Sequence, residues 1–243
     1  METAKIFDFK NGEELNIKVL EGGKKVKLTK EGKIKQTPNN NKADRLVMPI
    51  KKVEDVERCK EFLKKRVEEA PPKYKKSYAK DLLLFKIGIN VGMRVNDLLS
   101  IEWKDIFKPG TKQFNEYFVP KEQKTQKVRQ IFINKSFRAA VKEYLKYIPD
   151  TDTSQGYVFT NRQGNRLSDA SVDKMLKLLE KELNLENLST HSLRKTFAYH
   201  LYMQTNDLSL VQEILQHSSV AVTRRYLGLT QEVKKKAYND LNL

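Results

Sequence analysis

The chain has little of what secreted and membrane proteins depend on. Its 243 residues include a single cysteine, Cys59, which has no partner for an intramolecular disulfide, so the sequence predicts a protein of the reducing cytoplasm. The N-terminal stretch METAKIFDFKNGEEL lacks the apolar core of a secretory signal. The apolar run from Leu82 to Val91 is short and contains Lys86, which excludes a membrane span there. We therefore expect no membrane partner.

Acidic residues are few relative to basic ones. The sequence has 47 Lys and Arg against 31 Asp and Glu, a formal net charge of +16 and a pI of about 9.6. A surplus of this size is typical of proteins that bind a polyanion, most commonly nucleic acid. The alternative is a lysine-rich surface that only keeps the protein soluble. Hydrophobic residues make up 39% of the chain, which excludes wholesale disorder and allows a buried core.

The first forty-one residues have a composition of their own. Three β-prone runs, KIFDF, LNIKVL and KKVKLTKEGKIKQ, are separated by turn signals at Asn11-Gly12 and Glu21-Gly22-Gly23. They predict a small basic unit of two or three strands. It is either a DNA-contacting arm or a hairpin that covers the main domain, because its apolar residues are too few for a separate core. The predicted organisation is a β-rich extension over 1–41, a linker over 42–47 and a main domain over 48–243.

From Val53 onward, apolar residues recur at the three- and four-residue spacings of amphipathic helices. Helices are predicted over about 53–70, 74–91, 96–103, 135–147, 168–183, 191–204, 208–217, 219–227 and, as a basic tail, from about 230. Between the helices predicted over 96–103 and 135–147, the runs FNEYFVP and VRQIFIN predict a β-hairpin whose polar tip carries lysines. A short strand-like run follows at residues 157–160. The predicted fold class is mainly α with a small antiparallel β-sheet (α+β).

Two arginines are candidates for binding a phosphate. The planar guanidinium can donate to two phosphate oxygens and stays charged at physiological pH, which suits Arg94 and Arg194 to this task. His191 lies one helical turn before Arg194, so the two project from the same face. Arg94 lies at the break between two apolar helices, where a buried arginine needs an anionic partner. Asp97 or a ligand would supply that partner.

His217 and Tyr226 could move a proton and supply a nucleophile. Histidine donates to phosphate or transfers protons near neutral pH. A phenol, with an ordinary pKa near ~10, attacks only if cations stabilise the phenolate or a base takes its proton. Taken singly, each has a structural alternative, because most histidines are structural and the chain has ten tyrosines. His200 lacks this context, and we expect it to be structural.

Together and in this order, these segments resemble the tyrosine recombinases, the phage integrase family. The resemblance covers roughly residues 48–240. Each segment is weak alone, but five in order are hard to reach by chance. The segments are Gly92-Met93-Arg94 with Asp97-Leu98, the lysine-tipped hairpin, His191-x-x-Arg194, Leu215-Gln216-His217, and Tyr226. The resemblance implies a tyrosine recombinase-like catalytic domain, preceded here by the short β-rich extension, and an enzyme that recombines DNA site-specifically.

The resemblance also implies a role for each matched residue at the scissile phosphate. Arg94 and Arg194 would clamp that phosphate, with Asp97 supporting Arg94. His217 would donate to the same phosphate, and His191 would assist proton transfer. The family conserves bond energy in a covalent link to the protein, so no metal, ATP or other cofactor is implied.

The covalent steps fall to Tyr226 and a hairpin lysine. Tyr226 would attack to form a 3′-phosphotyrosyl link, and Lys124 would protonate the departing 5′-oxygen. Lys124 is preferred because Lys124-Thr125, followed by Lys127 and a strand, is similar to the family's hairpin pattern, while Lys121 and Lys127 stay open as alternatives. Side chains expected to contact DNA are Lys121, Lys127, Arg129, Lys195, Arg224 and Arg225.

The implied partners are double-stranded DNA and further copies of the chain. Members of the family work as tetramers on two duplexes, in a synaptic complex, and dock a C-terminal segment on a neighbour. The segment QEVKKKAYNDLNL suits that role, or is a solvated terminal helix. The expected location is the cytoplasm, with association to the nucleoid when DNA is bound.

One departure from the family pattern concerns the region before the catalytic domain. Family members usually carry a helical DNA-clamping domain there, whereas this chain has about fifty residues with β signals. Three explanations are open. The N-terminal strands replace the clamp, an accessory DNA-binding protein supplies it, or the chain is a non-enzymatic DNA-binding regulator built on the recombinase fold. The reactive pair Lys124 and Tyr226 argues against the regulator. A type IB topoisomerase-like enzyme is a second alternative, which the pattern around His191 and His217 disfavours.

Overall fold

The computed structural model describes residues 47–120, 130–228 and 238–239, together with the backbone of three strands nearer the N-terminus. The chain divides into two compact units, Met1–Leu46 and Val47–Leu243, and the division falls inside the stretch for which a linker is predicted. In the first unit, the strands form an antiparallel sheet in the order β1-β2-β3, with Ile6 opposite Leu15. They are β1 (Thr3–Asp8), β2 (Glu13–Val19) and β3 (Lys25–Lys27).

The second unit is built mainly of helices. Its described elements are α1 (Val53–Glu68), α2 (Pro72–Val91), α3 (Val95–Leu99), α4 (Trp103–Ile106), β4 (Tyr117–Phe118), β5 (Ile131–Phe132), α5 (Lys135–Tyr147), α6 (Asp169–Leu183), α7 (Thr190–Thr205), α8 (Leu208–Leu215) and α9 (Val220–Leu227). β4 and β5 pair antiparallel. The predicted fold class, mainly helical with a small antiparallel sheet, is confirmed.

Helix α2 is the centre of the main core. It packs against α1, α5 and α7, and its residues Leu84, Phe85 and Ile87 are almost completely buried. Because α2 is buried on most of its sides, the later half of its sequence is largely apolar instead of alternating between an apolar and a polar face. A second, smaller cluster joins α7, α8 and α9 through residues that include Val211 and Leu215. The candidate site lies where these helices meet.

Short polar side chains set the starts of the helices around the site. Asp207 accepts hydrogen bonds from two backbone N–H groups at the start of α8, and Ser219 accepts one from Val222 at the start of α9. Ser189 and Ser192 form a reciprocal capping box at the start of α7. These caps fix where α7, α8 and α9 begin, and α7 and α9 carry candidate residues.

Three predicted elements differ from those observed. The helix predicted over 96–103 is two helices, because the carboxylate of Asp105 binds the backbone N–H of Glu102 and starts α4 at Trp103. The hairpin strands are only two residues each, and residues 157–160 contribute isolated bridges rather than a strand. The hairpin tip, residues 121–129, and residues 229–237 of the predicted tail lie outside the described residues.

Within the described ranges, no helix has both the length and the hydropathy required to cross a bilayer. The same ranges contain no group of three or more His, Cys, Asp or Glu side chains placed to hold a metal ion. Cys59 is fully buried in the main core, and burial, aided by the nearby Asp55 carboxylate, raises the pKa of its thiol to about 12.

Candidate active site

Arg194 ties the ends of two helices together. It lies in the second turn of α7, the residue is 4% exposed, and its guanidinium donates to two backbone carbonyls. Nη1 lies 2.6 Å from the carbonyl oxygen of Gly92, which caps α2, and Nη2 lies 2.7 Å from that of Leu215, the last residue of α8. Carbonyls at helix C-termini lack helical donors and carry partial negative charge, so a buried arginine is stable there.

The two carbonyls bring the other candidates to the same place. Gly92 is two residues from Arg94, and Leu215 is two residues from His217. Gly92 has a left-handed backbone (φ 60°), and a Cβ at this position would lie 2.4 Å from the ring of Phe197 on α7. Glycine therefore lets α2 end directly against α7. Without that close approach, Arg94 and Arg194 would not lie in one site.

Arg94 lies at the start of α3, beside a buried carboxylate. Its Nη1 is 4.0 Å from Oδ2 of Asp97, one helical turn further on. The Asp97 side chain is 4% exposed, whereas 28% of the Arg94 side chain reaches solvent. The carboxylate therefore holds one side of a cation that still presents part of its surface outward.

His217 is held as a neutral imidazole. Its Nδ1 lies 3.0 Å from Oγ1 of Thr223, a fully buried residue of α9. Burial, and then the positive charges of Arg194 and Arg94, lower the pKa of His217 to about 4. At neutral pH the ring therefore carries one proton. If Nδ1 accepts from the Thr223 hydroxyl, that proton is on Nε2 and is available to a ligand.

Tyr226 packs against His217 with its hydroxyl buried. The two rings meet edge to face, with centroids 4.9 Å apart. Burial raises the pKa of the Tyr226 phenol, and the charges of Arg194 and Arg94 oppose that rise. The Arg194 guanidinium lies near the hydroxyl, but among the described residues no hydrogen bond of good geometry reaches this oxygen. The same two arginines thus act on both His217 and Tyr226.

The remaining predicted residues lie in varied surroundings. His191 is exposed in the first turn of α7, and its backbone N–H lies 3.3 Å from Oγ of Ser189. Arg224 and Arg225 are exposed in the last turn of α9, and Lys195 is half-buried. His200 binds the backbone carbonyl of Ile50 at 2.9 Å, as expected of a structural histidine. The residues that lie outside the described ranges are Lys121, Lys124, Lys127 and Arg129.

The sequence reasoning missed Thr223 and a basic pocket. The pocket, of about 620 Å³, lies between α1, α2, α6 and the segment before α6. One acidic side chain, Asp81, lines it beside six basic ones: Arg66, Lys73, Lys76, Lys80, Arg162 and Lys174. Three of these share one face of α2, a three- and four-residue spacing that could have been recognised in the sequence. Thr223 has no comparable signal, since its role depends on where the His217 ring lies.

Burial perturbs two charged groups of this pocket. Lys80 is 6% exposed, and its ammonium donates to the carbonyl of Thr160. Burial, followed by the charge of Lys76, lowers its pKa to about 8. Burial raises the pKa of Asp81 to about 6, although Arg66 lies 3.6 Å away. The pocket keeps a strong positive surplus at neutral pH.

Comparison with known proteins gives concordant matches. Residues 54–232 match the model of the phage integrase family. The chain is 31% identical over 194 residues to the probable integrase/recombinase YoeC of Bacillus subtilis, covering 79% of this chain and 96% of that protein. It is 28% identical over 165 residues to the tyrosine recombinase XerC of Thermodesulfovibrio yellowstonii, and this match covers 65% of this chain and 53% of XerC. It therefore spans nearly all of YoeC but about half the length of XerC.

Solved structures show the same fold. The XerH site-specific recombinase, in a post-cleavage complex with a palindromic difH substrate, matches with a TM-score of 0.60 at 26% identity, over 80% of this chain and 53% of that one. XerA recombinase matches with a TM-score of 0.59 at 19% identity, over 81% of this chain and 66% of that one. This second match shows similarity of fold alone. The family model covers most of the chain, and the chain belongs to the phage integrase family, the tyrosine recombinases.

Proposed function

We propose that the chain is a site-specific DNA recombinase that cleaves and rejoins DNA through a 3′-phosphotyrosyl intermediate, without metal or ATP. The observation that carries this proposal is the convergence of two arginines on one tyrosine and one histidine. Arg94 and Arg194 come from helix ends that are a hundred residues apart in sequence, and both act electrostatically on His217 and Tyr226. A cationic pocket around a phenol is the arrangement that a phosphoryl transfer to tyrosine needs.

In the proposed cleavage step, the Tyr226 oxygen attacks the phosphorus of the scissile phosphodiester, and its phenolic proton passes to His191. The bond between phosphorus and the 5′-oxygen breaks, and that oxygen takes a proton from Lys124, the residue that the family resemblance assigns. Arg94 and Arg194 offset the charge that develops on the non-bridging oxygens. Rejoining reverses these steps, with a 5′-hydroxyl of the same or a partner duplex as the attacking group.

His217 contributes as a neutral donor. With a pKa of about 4, it does not add a third full positive charge beside the two arginines at neutral pH. In the tautomer that accepts from Thr223, its Nε2–H is free to donate to a non-bridging phosphate oxygen. We place His191, exposed at the start of the same helix as Arg194, as an assistant in proton transfer.

DNA is the proposed partner, and the basic pocket supports contact with its backbone. Lys80 is twelve residues before Gly92, which is about 18 Å along α2 at ~1.5 Å per residue. That distance corresponds to roughly five base-pair steps of ~3.4 Å along a duplex. We place α2 along the duplex, so that a phosphate several base pairs from the cleavage point lies at the pocket while the scissile phosphate lies at Arg94 and Arg194. XerH, which resembles this chain, is bound to a palindromic difH substrate in its complex.

The Tyr226 hydroxyl also bears on the regulator alternative. The hydroxyl is buried beside the Arg194 guanidinium, and phenylalanine would fill the same space without it. A protein that only binds DNA has no use for this oxygen.

We propose that the chain acts as a tetramer on two duplexes, with the helical clamp replaced by its own N-terminal strands or supplied by an accessory DNA-binding protein.

The covalent intermediate is tested directly with a nicked suicide duplex that carries the site recovered by selection from host DNA fragments. Wild-type protein, in EDTA and without nucleotide, should form a denaturant-resistant adduct, and Tyr226→Phe should form none. Tyr202→Phe is the matched control, since Tyr202 lies in the same small cluster, and it should retain the adduct. An adduct with Tyr226→Phe, or none with wild type, would exclude the proposed mechanism. Relaxation of a plasmid without a specific site would favour the topoisomerase alternative.

A further inference from the structure

Lys195 lies between the nucleophile and the chain segment at which the second unit begins. Its Nζ donates to the carbonyl oxygen of Val47 at 2.7 Å and lies 5.1 Å from the centre of the Tyr226 ring. The side chain is half-buried, and burial lowers the pKa of its ammonium. One cation thus contacts both the backbone of an extended segment and the face of the tyrosine.

The segment that supplies the carbonyl is itself fixed along α7. We call residues 47–50 the boundary segment, because the division between the two units falls immediately before it. The backbone N–H of Met48 donates to Asn187, that of Ile50 donates to the buried Thr196 hydroxyl at 2.9 Å, and the Ile50 carbonyl binds His200 at 2.9 Å. The Val47 carbonyl is therefore a rigid anchor rather than a chance acceptor.

We propose that Lys195 is a positioning residue for Tyr226, which holds the phenol against Arg194 and His217 and is itself held by the boundary segment. This proposal rests on the proposed function, since it gives Lys195 a part in the attack of the tyrosine. It departs from the phosphate contact that the sequence predicts for Lys195, because the ammonium is directed to Val47 and Tyr226 in this structure.

The physical basis is a cation over an aromatic face in a partly desolvated place. Such a contact is stronger than on an open surface. It favours one orientation of the ring, and it stabilises the phenolate as charge develops on the oxygen. Within residues 47–120 and 130–228, the charged or titratable groups that act on Tyr226 are Lys195, Arg194, Arg94 and His217, and the last of these is neutral at working pH. Lys195 differs from the arginines because it touches the ring face.

The kinetic test compares Lys195→Met, Lys195→Arg and wild type on the nicked suicide duplex at saturating protein. Lys195→Met should slow adduct formation about tenfold, the size expected for a partly desolvated cation over a ring, with DNA affinity changed much less. Lys195→Arg keeps the charge and should restore most of the rate. Lys51→Met is the matched control. Lys51 follows the boundary segment and lies 5.8 Å from the Tyr199 ring, so its loss should leave the rate unchanged.

A second measurement keeps this inference separate from the proposed function. The ring resonances of Tyr226 are recorded by NMR at neutral pH and without DNA, in protein with ¹³C-labelled tyrosine rings, and are assigned by comparison with the Tyr226→Phe counterpart of each variant. They should shift in Lys195→Met and stay close to wild type in Lys195→Arg. If wild type forms no adduct, the recombinase mechanism fails while the ring spectrum still decides the role of Lys195. Unchanged ring resonances in Lys195→Met, or weaker DNA binding with a normal rate at saturation, would overturn the positioning role.

Discussion

Replacing Gly92 by alanine tests whether the end of α2 must lie directly against α7. The new methyl group would meet two energetic costs at once. Gly92 has a left-handed backbone, with φ 60° and ψ 24°, and its added Cβ would lie 2.4 Å from Cδ1 of Phe197. Gly228 has nearly the same backbone, with φ 67° and ψ 26°, but no heavy atom of the described residues lies within 4 Å of an added Cβ. Gly228→Ala therefore isolates the first cost.

The two substitutions should differ by the steric cost alone. A left-handed backbone costs a residue with a Cβ about 1–2 kcal/mol, which applies to both variants. An extra methyl in a packed place costs a further ~1–3 kcal/mol, which applies to Gly92→Ala only. We expect a loss of unfolding free energy of ~2–5 kcal/mol for Gly92→Ala and ~1–2 kcal/mol for Gly228→Ala.

Urea unfolding at neutral pH measures both losses, and adduct formation measures the consequence for the site. Because the Gly92 carbonyl accepts from Arg194, a shift of the α2 terminus should slow the adduct more than it weakens DNA binding. Phe197→Leu should recover part of the stability lost by Gly92→Ala and none of that lost by Gly228→Ala. Equal losses for the two glycine variants, or no recovery with Phe197→Leu, would show that the ring does not confine this position.

Three further predictions concern the donor, the pH dependence and the basic pocket. Thr223→Val should slow adduct formation about three- to tenfold, the equivalent of one neutral hydrogen bond, while Thr223→Ser keeps the wild-type single-turnover rate. The pKa of His217 is about 4 in the folded protein and 6.5 when unperturbed, so the unfolded state binds more protons between these values and stability falls as pH falls from 6.5 towards 4. Partial exposure reduces the loss to ~1–2 kcal/mol, and urea midpoints at pH 7 and 5 should diverge less in His217→Gln. Lys174→Ala should lower the salt dependence of DNA binding by about one phosphate contact, and Lys181→Ala, on the same helix but outside the pocket, should not.

The elements that could be predicted from the sequence are those with local signals. Helix α5 lies where the apolar spacing places it, from Lys135 to Tyr147, because Asn134 caps its start. The end of α2 at Gly92 follows from a glycine that allows a left-handed backbone. The split between α3 and α4 was missed because Asp105 starts a new helix within an apolar run. Periodicity does not reveal such a reciprocal cap inside a continuous pattern.

The contacts that hold the candidate site together have no local signal. Arg194 meets Gly92 across 102 residues, and Lys195 meets Val47 across 148. The family resemblance names the arginine but not the two carbonyls, and it gives no reason to connect Lys195 with the boundary segment. The role of the hairpin lysines stays a prediction, because residues 121–129 lie outside the described residues.

The double hydrogen bond of Arg194 affects how related sequences should be interpreted. Since this arginine joins α2 to α8, a descendant that lost catalysis and kept only DNA binding would still be selected to retain it. The Tyr226 hydroxyl joins no two helices in this way, and phenylalanine would keep the ring contact with His217. Among homologues, retention of the arginine is therefore expected from the fold alone, whereas retention of the tyrosine hydroxyl would indicate selection for the proposed strand cleavage.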